Sequence, residues 1–364
     1  MTGYLEIQSS GFQSMIQDKG RWGFQEFGVP ICGSAVPHWM ELGNSLVGNN
    51  ADAAGIEFRV LGPAIKAVDA PVKLAICGDV TAEVMSKSET GTHSRKISSW
   101  RSFTLNPDDE LKIGNLENSV VGFLAISGGV QVEPVMGSVS TYVRSEIGGL
   151  SGHILKAGDK IPVSQEGIKL SEAADRVQPS PPTPQTEPIR VVLGPQDEYF
   201  DPEMIEIFFS QEFTVSKASD RMGARLEGPV LTHKEDKGSG IISDGVVPGA
   251  IQVPGNGQPI VLLNDGQTVG GYPKIATVIS TDLYRIANAL PGTVLRFQSV
   301  SAKEACLIAR NAQDVLERMK KSIVAASANG FVNIKALYET NLIDGVVDMA
   351  KPDHFPGSLT DEDA

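Results

Sequence analysis

Turn-forming residues punctuate this chain so evenly that few stretches can run long. Its 38 glycines and 22 prolines fall between short runs rich in Val, Ile and Leu, such as VKLAIC at 72–77, VVGFLAI at 120–126 and PIVLLN at 259–264. Short apolar runs bounded by turn residues read as strands. Many of them, without sustained strand–helix alternation, point to antiparallel sandwiches or barrels and away from a doubly wound sheet. Two segments carry a helical period instead. In AVPHWMELGNSLVGN (35–49), Trp39, Leu42, Leu46 and Val47 fall near helical spacing. The stretch 301–328 opens on Ser301 with Glu304 three residues later, a capping box, and Gly330 offers a stop. Between these lies DRVQPSPPTPQTEPIR (175–190), whose five prolines in a polar context specify an extended linker. The expected organisation is one β domain over 1–175, a linker over 176–188 and a second β domain over 189–300. A helical extension with an acidic tail follows over 301–364.

A net charge of -13 argues against a nucleic-acid partner, whose phosphates it would repel. The N-terminus lacks the basic start and apolar run of a signal peptide, and no apolar stretch reaches membrane-spanning length. A cytoplasmic protein is therefore expected. Cys32, Cys77 and Cys306 form no CxxC pair and read as buried small hydrophobes in a reducing setting. The five histidines show no metal-ligand spacing, so no metal site is expected. No phosphate loop, GxGxxG, HExxH or GxSxG motif is present. RMKKS (318–322) lies within the helical period, so Lys320 reads as a solvated helix residue, not a biotin acceptor. Were ATP or biotin used, another chain would carry the main recognition element.

Three stretches stand out. Read as a strand, SDRMGARLEGP (219–229) places Met222, Ala224 and Leu226 on one face and Arg221, Arg225 and Glu227 on the other. That second face is either a ligand slot between two guanidinium groups or an ion-pair network. The run 241–279 is rich in glycine and proline and holds Gln252, Asn264, Asp265, Gln267, Thr268, Tyr272 and Lys274. These residues either line a site or satisfy the turns of two hairpins. In IQDKGRWGFQEFGVPICGS (16–34), either a loop is preorganised around Arg21 or Asp18 pairs with Arg21. In LGPQDEYFDPEMIEIFF (193–209), Asp197 or Asp201 reads as a helix cap.

Taken together, SDRMGARLEGP, GPQDEYF, the 241–279 run and IQDKGRWGFQEFGVP resemble the biotin-dependent carboxyltransferase-like family. It is also called allophanate hydrolase subunit 2 or the antagonist of the sporulation-kinase inhibitor. The resemblance spans residues 3 to about 300. It implies two cyclophilin-like β-barrel domains, with a few helices. It also implies a subunit-1-type companion chain and, for 5-oxoprolinase, a third subunit and ATP bound with those partners. It puts a cleft for a small amide or lactam at Arg221, Gln252, Gln267, Thr268, Gly270, Gly271, Tyr272 and Arg21. Arg225, Glu227, Asp265 and Lys274 would be the catalytic residues. An apolar Val36 departs from the family, which usually carries an acid there.

The leading expectation is a subunit of an ATP-dependent lactam hydrolase of 5-oxoprolinase type. An arginine fork would bind the substrate carboxylate by charge-assisted bonds, and Glu227 or Asp265 would be the acid or base. The alternatives are a carboxyltransferase component using carboxybiotin on urea, or a non-catalytic module that binds and regulates subunit 1.

Overall fold

The computed structural model describes residues 3–88 and 91–326. Strands up to residue 162 build two antiparallel sheets. One runs Lys160–Pro162, Tyr4–Ser9, Ala64–Val68, Glu110–Leu116, Val80–Ser88, Gly91–Ser98. The other runs Gln13–Gln17, Gly55–Arg59, Val121–Ile126, Val72–Cys77, Ser102–Leu105. Alternation sets their facing. In Tyr4–Ser9, Leu5 and Ile7 are buried while Tyr4 and Glu6 are not, and Leu5 and Ile7 join Ile56, Phe58, Leu74 and Leu124 in one apolar core between the sheets.

Val72–Cys77 and Val121–Ile126 are buried throughout, so their outer face must also be covered. The cover is helix α1, Pro37–Val47, started by Pro at its first turn and closed by Gly48 in the left-handed conformation. Gly43 makes this possible, since a Cβ there would sit 3.0 Å from the Cys77 sulfur and 3.2 Å from the Ala125 Cβ. The apolar face of α1 (Trp39, Leu42, Leu46) is continuous with a second core that holds Ile189, Phe213, Leu226 and Val261.

That second core fills an eight-stranded sheet. Its order is Val294–Leu295, Phe213–Val215, Gly223–Glu227, Ile260–Leu262, Ala250–Gln252, Lys274–Val278, Ile189–Leu193, Phe297–Ser299. Only the last pair is parallel. The two edge strands, Val294–Leu295 and Phe297–Ser299, are separated by Arg296 alone. One short run of chain thus pairs with both edges and nearly closes the sheet into a barrel. Helices α2 (Gln165–Ser171), α3 (Pro202–Ser210), α4 (Ser280–Ala287) and α5 (Ala302–Lys321) complete the fold. Phe208 of α3 stacks on Phe297 at 4.6 Å between ring centroids. The mainly β architecture with few helices is the one expected.

Several local readings need correcting. The linker does not start free, because Arg176–Val177 pairs with Val324–Ala325. Its end is held too: the Arg285 guanidinium donates to the carbonyls of Gln185, Glu187 and Pro188. Asp282, fully buried, fixes the same corner by accepting from the Arg190 backbone N–H and its Nε, both at 2.9 Å. Helix α5 has the expected capping box, but it ends at Lys321 because the chain turns into Val324–Ala325; Gly330 lies outside the described residues. Lys320 is not simply solvated, since it pairs with Glu41 and Glu317. Cys32 and Cys77 are buried, whereas Cys306 is exposed on α5. Asp201 occupies the α3 N-cap position without a side-chain capping bond. Among the described residues no helix is long and apolar enough to cross a membrane.

His38 of α1 meets Tyr284 of α4 edge-on at 4.4 Å between centroids, and burial lowers its pKa to about 4. The unfolded chain therefore takes up this proton first. The His38 contribution is complete above the ordinary value of 6.5 and is lost as pH falls towards 4. The expected result is an unfolding free energy about 2 kcal/mol lower near pH 5 than near pH 7.5. His38→Asn should flatten that part of the urea-midpoint profile; an unchanged slope would remove His38 as its source.

Candidate functional site

The strand holding Arg225 begins later than alternation suggests. Asp220 Oδ1 accepts from the backbone N–H groups of Met222 (2.8 Å) and Gly223 (3.1 Å), folding 220–222 into a turn that leads into Gly223–Glu227. Ala224 and Leu226 point inward, and Arg225 and Glu227 outward. Arg221, before the strand, is directed elsewhere. The slot between two guanidinium groups is therefore not formed.

Arg221 is instead 7 % exposed and sits between the two halves. It makes a two-bond pair with Asp265 (Nε to Oδ2 and Nη2 to Oδ1, both 2.9 Å) and a second ion pair with Glu57, which is fully buried. Its Nη2 also donates to the Gly33 carbonyl at 2.7 Å. Burial alone would lower the Arg221 pKa, but Asp265 and Glu57 outweigh it and raise it. The neighbouring Cys32 thiol is pushed up by burial and by Asp265. Around this cluster the Ala35 N–H donates to Glu57 at 2.7 Å, the Cys32 N–H to the Asn264 carbonyl at 2.8 Å and the Asn264 amide to the Ser34 carbonyl at 3.1 Å. Val36 follows at the N-cap of α1, 1 % exposed. Its place is in the core, which explains an apolar residue there.

Arg21 does not pair with Asp18, and the loop it organises is 135–140. Arg21 is fully buried and donates to the carbonyls of Val135 (3.1 Å), Ser138 (3.4 Å) and Ser140 (2.8 Å). Asp18 binds the same segment separately, accepting from the Ser138 and Ser140 hydroxyls and the Val139 N–H. The two residues clamp one loop from opposite charges and do not pair.

The remaining residues do converge. A cleft of about 550 Å³ is bordered by Arg225, Gln252, Gln267 and Tyr272, with Arg144 and Asp220. Its innermost side chain is Gln252, 2 % exposed. The Gln252 Oε1 accepts from Gln267 Nε2 at 3.4 Å, while its Nε2 is buried with no protein acceptor. A buried donor left unpaired costs about 1–3 kcal/mol; Arg21 Nη1, Trp39 Nε1 and Arg285 Nε share that state, but of these donors only Gln252 Nε2 belongs to a residue bordering the cleft. Above it lies Gly270, where a Cβ would come within 2.2 Å of that nitrogen; only glycine leaves Gln252 its place. Gly270→Ala should displace Gln252. We expect about tenfold lower activity for a stability loss near 1 kcal/mol; full activity in that variant would exclude Gln252 from the site.

Gln252 is paired in register with Lys274, across a bulge between Ile251 and Gln252. Lys274, 4 % exposed, reaches Asp244 at 2.9 Å. The hydrogen bond from Lys274 holds the Asp244 carboxyl below its ordinary pKa. Asp244–Gly245 pairs with Val269–Gly270 to form a two-stranded flap beside the cleft, and the Gln196 amide oxygen accepts from the Lys274 N–H at 3.3 Å. Thr268 and Gly271 serve that flap through their carbonyls, which accept from Val246 and Ile241. Glu227 faces away and accepts from the Ser216 hydroxyl at 2.5 Å.

Arg225, Gln252, Gln267 and Tyr272 thus come together, with Gly270 and Lys274 behind them. Arg221 and Asp265 belong to the seam, Arg21 to the first half's loops, and Glu227 to the outer surface. Sequence reasoning missed Glu57, Asp244 and Arg144. Glu57 has a signal, a carboxylate inside the apolar strand GIEFR; Arg144 has none.

Residues 27–299 fit the family model described as carboxyltransferase domain, subdomain A and B, and the chain belongs to that family. Among relatives, the chain is 33% identical over 323 residues to the C subunit of 5-oxoprolinase from Escherichia coli (strain K12), covering 86% of this chain and 97% of the relative. It is 30% identical over 330 residues to urea amidolyase of Saccharomyces cerevisiae, covering 85% of this chain but 17% of that protein. The crystal structure of the K. lactis urea amidolyase superposes with a TM-score of 0.77 at 26% identity, over 91% of this chain and 21% of that one.

Proposed function

We propose that this chain is a subunit of an ATP-dependent lactam hydrolase of the 5-oxoprolinase type, working with a subunit-1-type companion and a third subunit. The observation that carries this reading is the buried Gln252 Nε2, without a protein acceptor, in the cleft that Arg225 also borders, on a chain matched along nearly the whole length of a 5-oxoprolinase component. The cleft offers what 5-oxoproline needs. Arg225 at the mouth takes the carboxylate by charge-assisted bonds. The Gln252 Nε2 donates to the lactam carbonyl and the Gln267 amide takes the ring N–H, with Tyr272 covering the ring. Asp220 is the carboxylate bordering this cleft among the described residues. Lys274, held by Asp244, fixes the strand beneath Gln252.

The sequence has no phosphate loop, and the described residues gather no group of three His, Cys, Asp or Glu able to hold a cation. ATP is therefore assigned to the companion chains, and no step is routed through it here. The similarity to urea amidolyase favours a second reading, in which the same cleft receives urea and carboxybiotin supplied by another chain.

The test is reconstitution with the two companion subunits, following glutamate formed from 5-oxoproline and ATP. Turnover that requires this chain supports the proposal. A stable complex without turnover, together with carboxyl transfer to urea, would replace it with the second reading.

A further inference from the structure

Across Met222 from the Gln252 cleft lies a second one, of about 640 Å³, within the usual range for small-molecule sites. Both halves of the chain build it. Arg59, Tyr142 and Arg144 come from the first, and Lys217, Asp220 and Arg221 from the second. Phe12, Val60 and Val215 contribute apolar wall, and Phe12 is 68% exposed although the chain has ample apolar core.

The charges in this cleft do not cancel. Arg221 is matched by Glu57 and Asp265, and Asp220 is engaged by two backbone N–H groups. Arg59, Arg144 and Lys217 border the cleft with no ion-pair partner among the described residues; Arg144 Nη1 meets only the Met222 sulfur, at 3.0 Å. Three cations outside ion-pair contact, against the one remaining carboxylate of Asp220, leave the concavity positive in a chain of net charge -13. Arg59 is the most telling, being half-buried at the end of Gly55–Arg59. Burial and the adjacent Arg221 disfavour its charge, and Glu57, Asp220 and Asp265 offset them only in part. A partly desolvated guanidinium with no carboxylate in ion-pair contact is costly, and an incoming anion would relieve that cost.

We propose that this second cleft binds a small organic oxyanion, its carboxylate or phosphate head held by Arg59, Arg144 and Lys217 and its apolar body lying along Phe12, Val60 and Tyr142. The proposal does not depend on the Gln252 cleft, although Arg144 and Met222 border both and would let an occupant of one be felt at the other.

The test is titration of the full chain with hexanoate, acetate and inorganic phosphate by ligand-observed NMR, in wild type, Arg59→Gln and Lys217→Gln. Gln252→Ala serves as a control for the other cleft. Hexanoate should bind more tightly than acetate, weaken about tenfold in Arg59→Gln and less in Lys217→Gln, and weaken with added salt. Gln252→Ala should leave it unchanged. Phosphate binding above hexanoate, lost in Arg59→Gln, would identify a phosphate head; a carboxylate head is identified by the reverse order. No binding by any of the three, or binding equal in wild type and Arg59→Gln, would overturn the proposal. Loss in Gln252→Ala alone would overturn it too, since the anion would then occupy the first cleft.

Discussion

Arg221→Ala should lower the unfolding free energy by about 3–5 kcal/mol, because removing one member of a buried ion group strands the others. Glu57 is fully buried and Asp265 is 6 % exposed; without Arg221 two carboxyl groups are left without their cation in a place with little water. The Gly33 carbonyl loses its donor as well. Because these partners come from opposite halves of the chain, the loss should appear as separation of the halves as well as a lower midpoint. Urea unfolding followed by far-ultraviolet circular dichroism measures the first. Limited proteolysis near the proline-rich segment reports the second. The combined change Arg221→Met, Glu57→Gln, Asp265→Asn removes the stranded charges and should recover most of the loss. An Arg221→Ala midpoint within error of wild type would mean that water already reaches the cluster.

Arg225→Ala should behave in the opposite way, with stability changed by no more than about 0.5 kcal/mol and activity of the assembled enzyme reduced on the order of a hundredfold. The Arg225 backbone is fixed by pairing with Ile260, but its guanidinium is exposed and has no ion pair among the described residues, so folding draws nothing from it. Arg225→Lys should restore the charge without the planar fork and recover only part of the activity. If Arg225 binds the substrate carboxylate in the ground state, KM rises most; if the contact tightens as the ring opens, kcat falls with it. Equal activity in wild type and Arg225→Ala would remove this cleft from the reaction.

The contrast between these two arginines shows what one-dimensional pattern can and cannot deliver. Strand alternation correctly separated Ala224 and Leu226 from Arg225 and Glu227. It failed one turn earlier, where Asp220 binds two backbone N–H groups and stops the strand, sending Arg221 to a different place. The mainly β fold was legible because short apolar runs between glycines and prolines are local facts. The same holds for the α5 capping box, which Ser301 and Glu304 specify between themselves. The end of α5 was not legible, because it depends on Val324–Ala325 finding Arg176–Val177 far upstream. The site divides in the same manner. Gln252, Gln267, Gly270 and Tyr272 lie within one run and could be chosen together. Arg144 reaches them only through folding of the first half, and nothing local to Arg21 announces its three carbonyl partners in 135–140.

Closure of the eight-stranded sheet through Arg296 also fixes the order in which this protein can be completed. During synthesis, Ile189–Leu193 leaves the ribosome long before Phe297–Ser299, the strand that covers its free edge. Until then that edge presents unpaired amides and carbonyls, open to any extended peptide nearby. Val294–Leu295 arrives in the same few seconds and seals the opposite edge against Phe213–Val215. Both seams therefore shut in a single late event, and nascent chains halted before residue 294 are the ones a chaperone should hold.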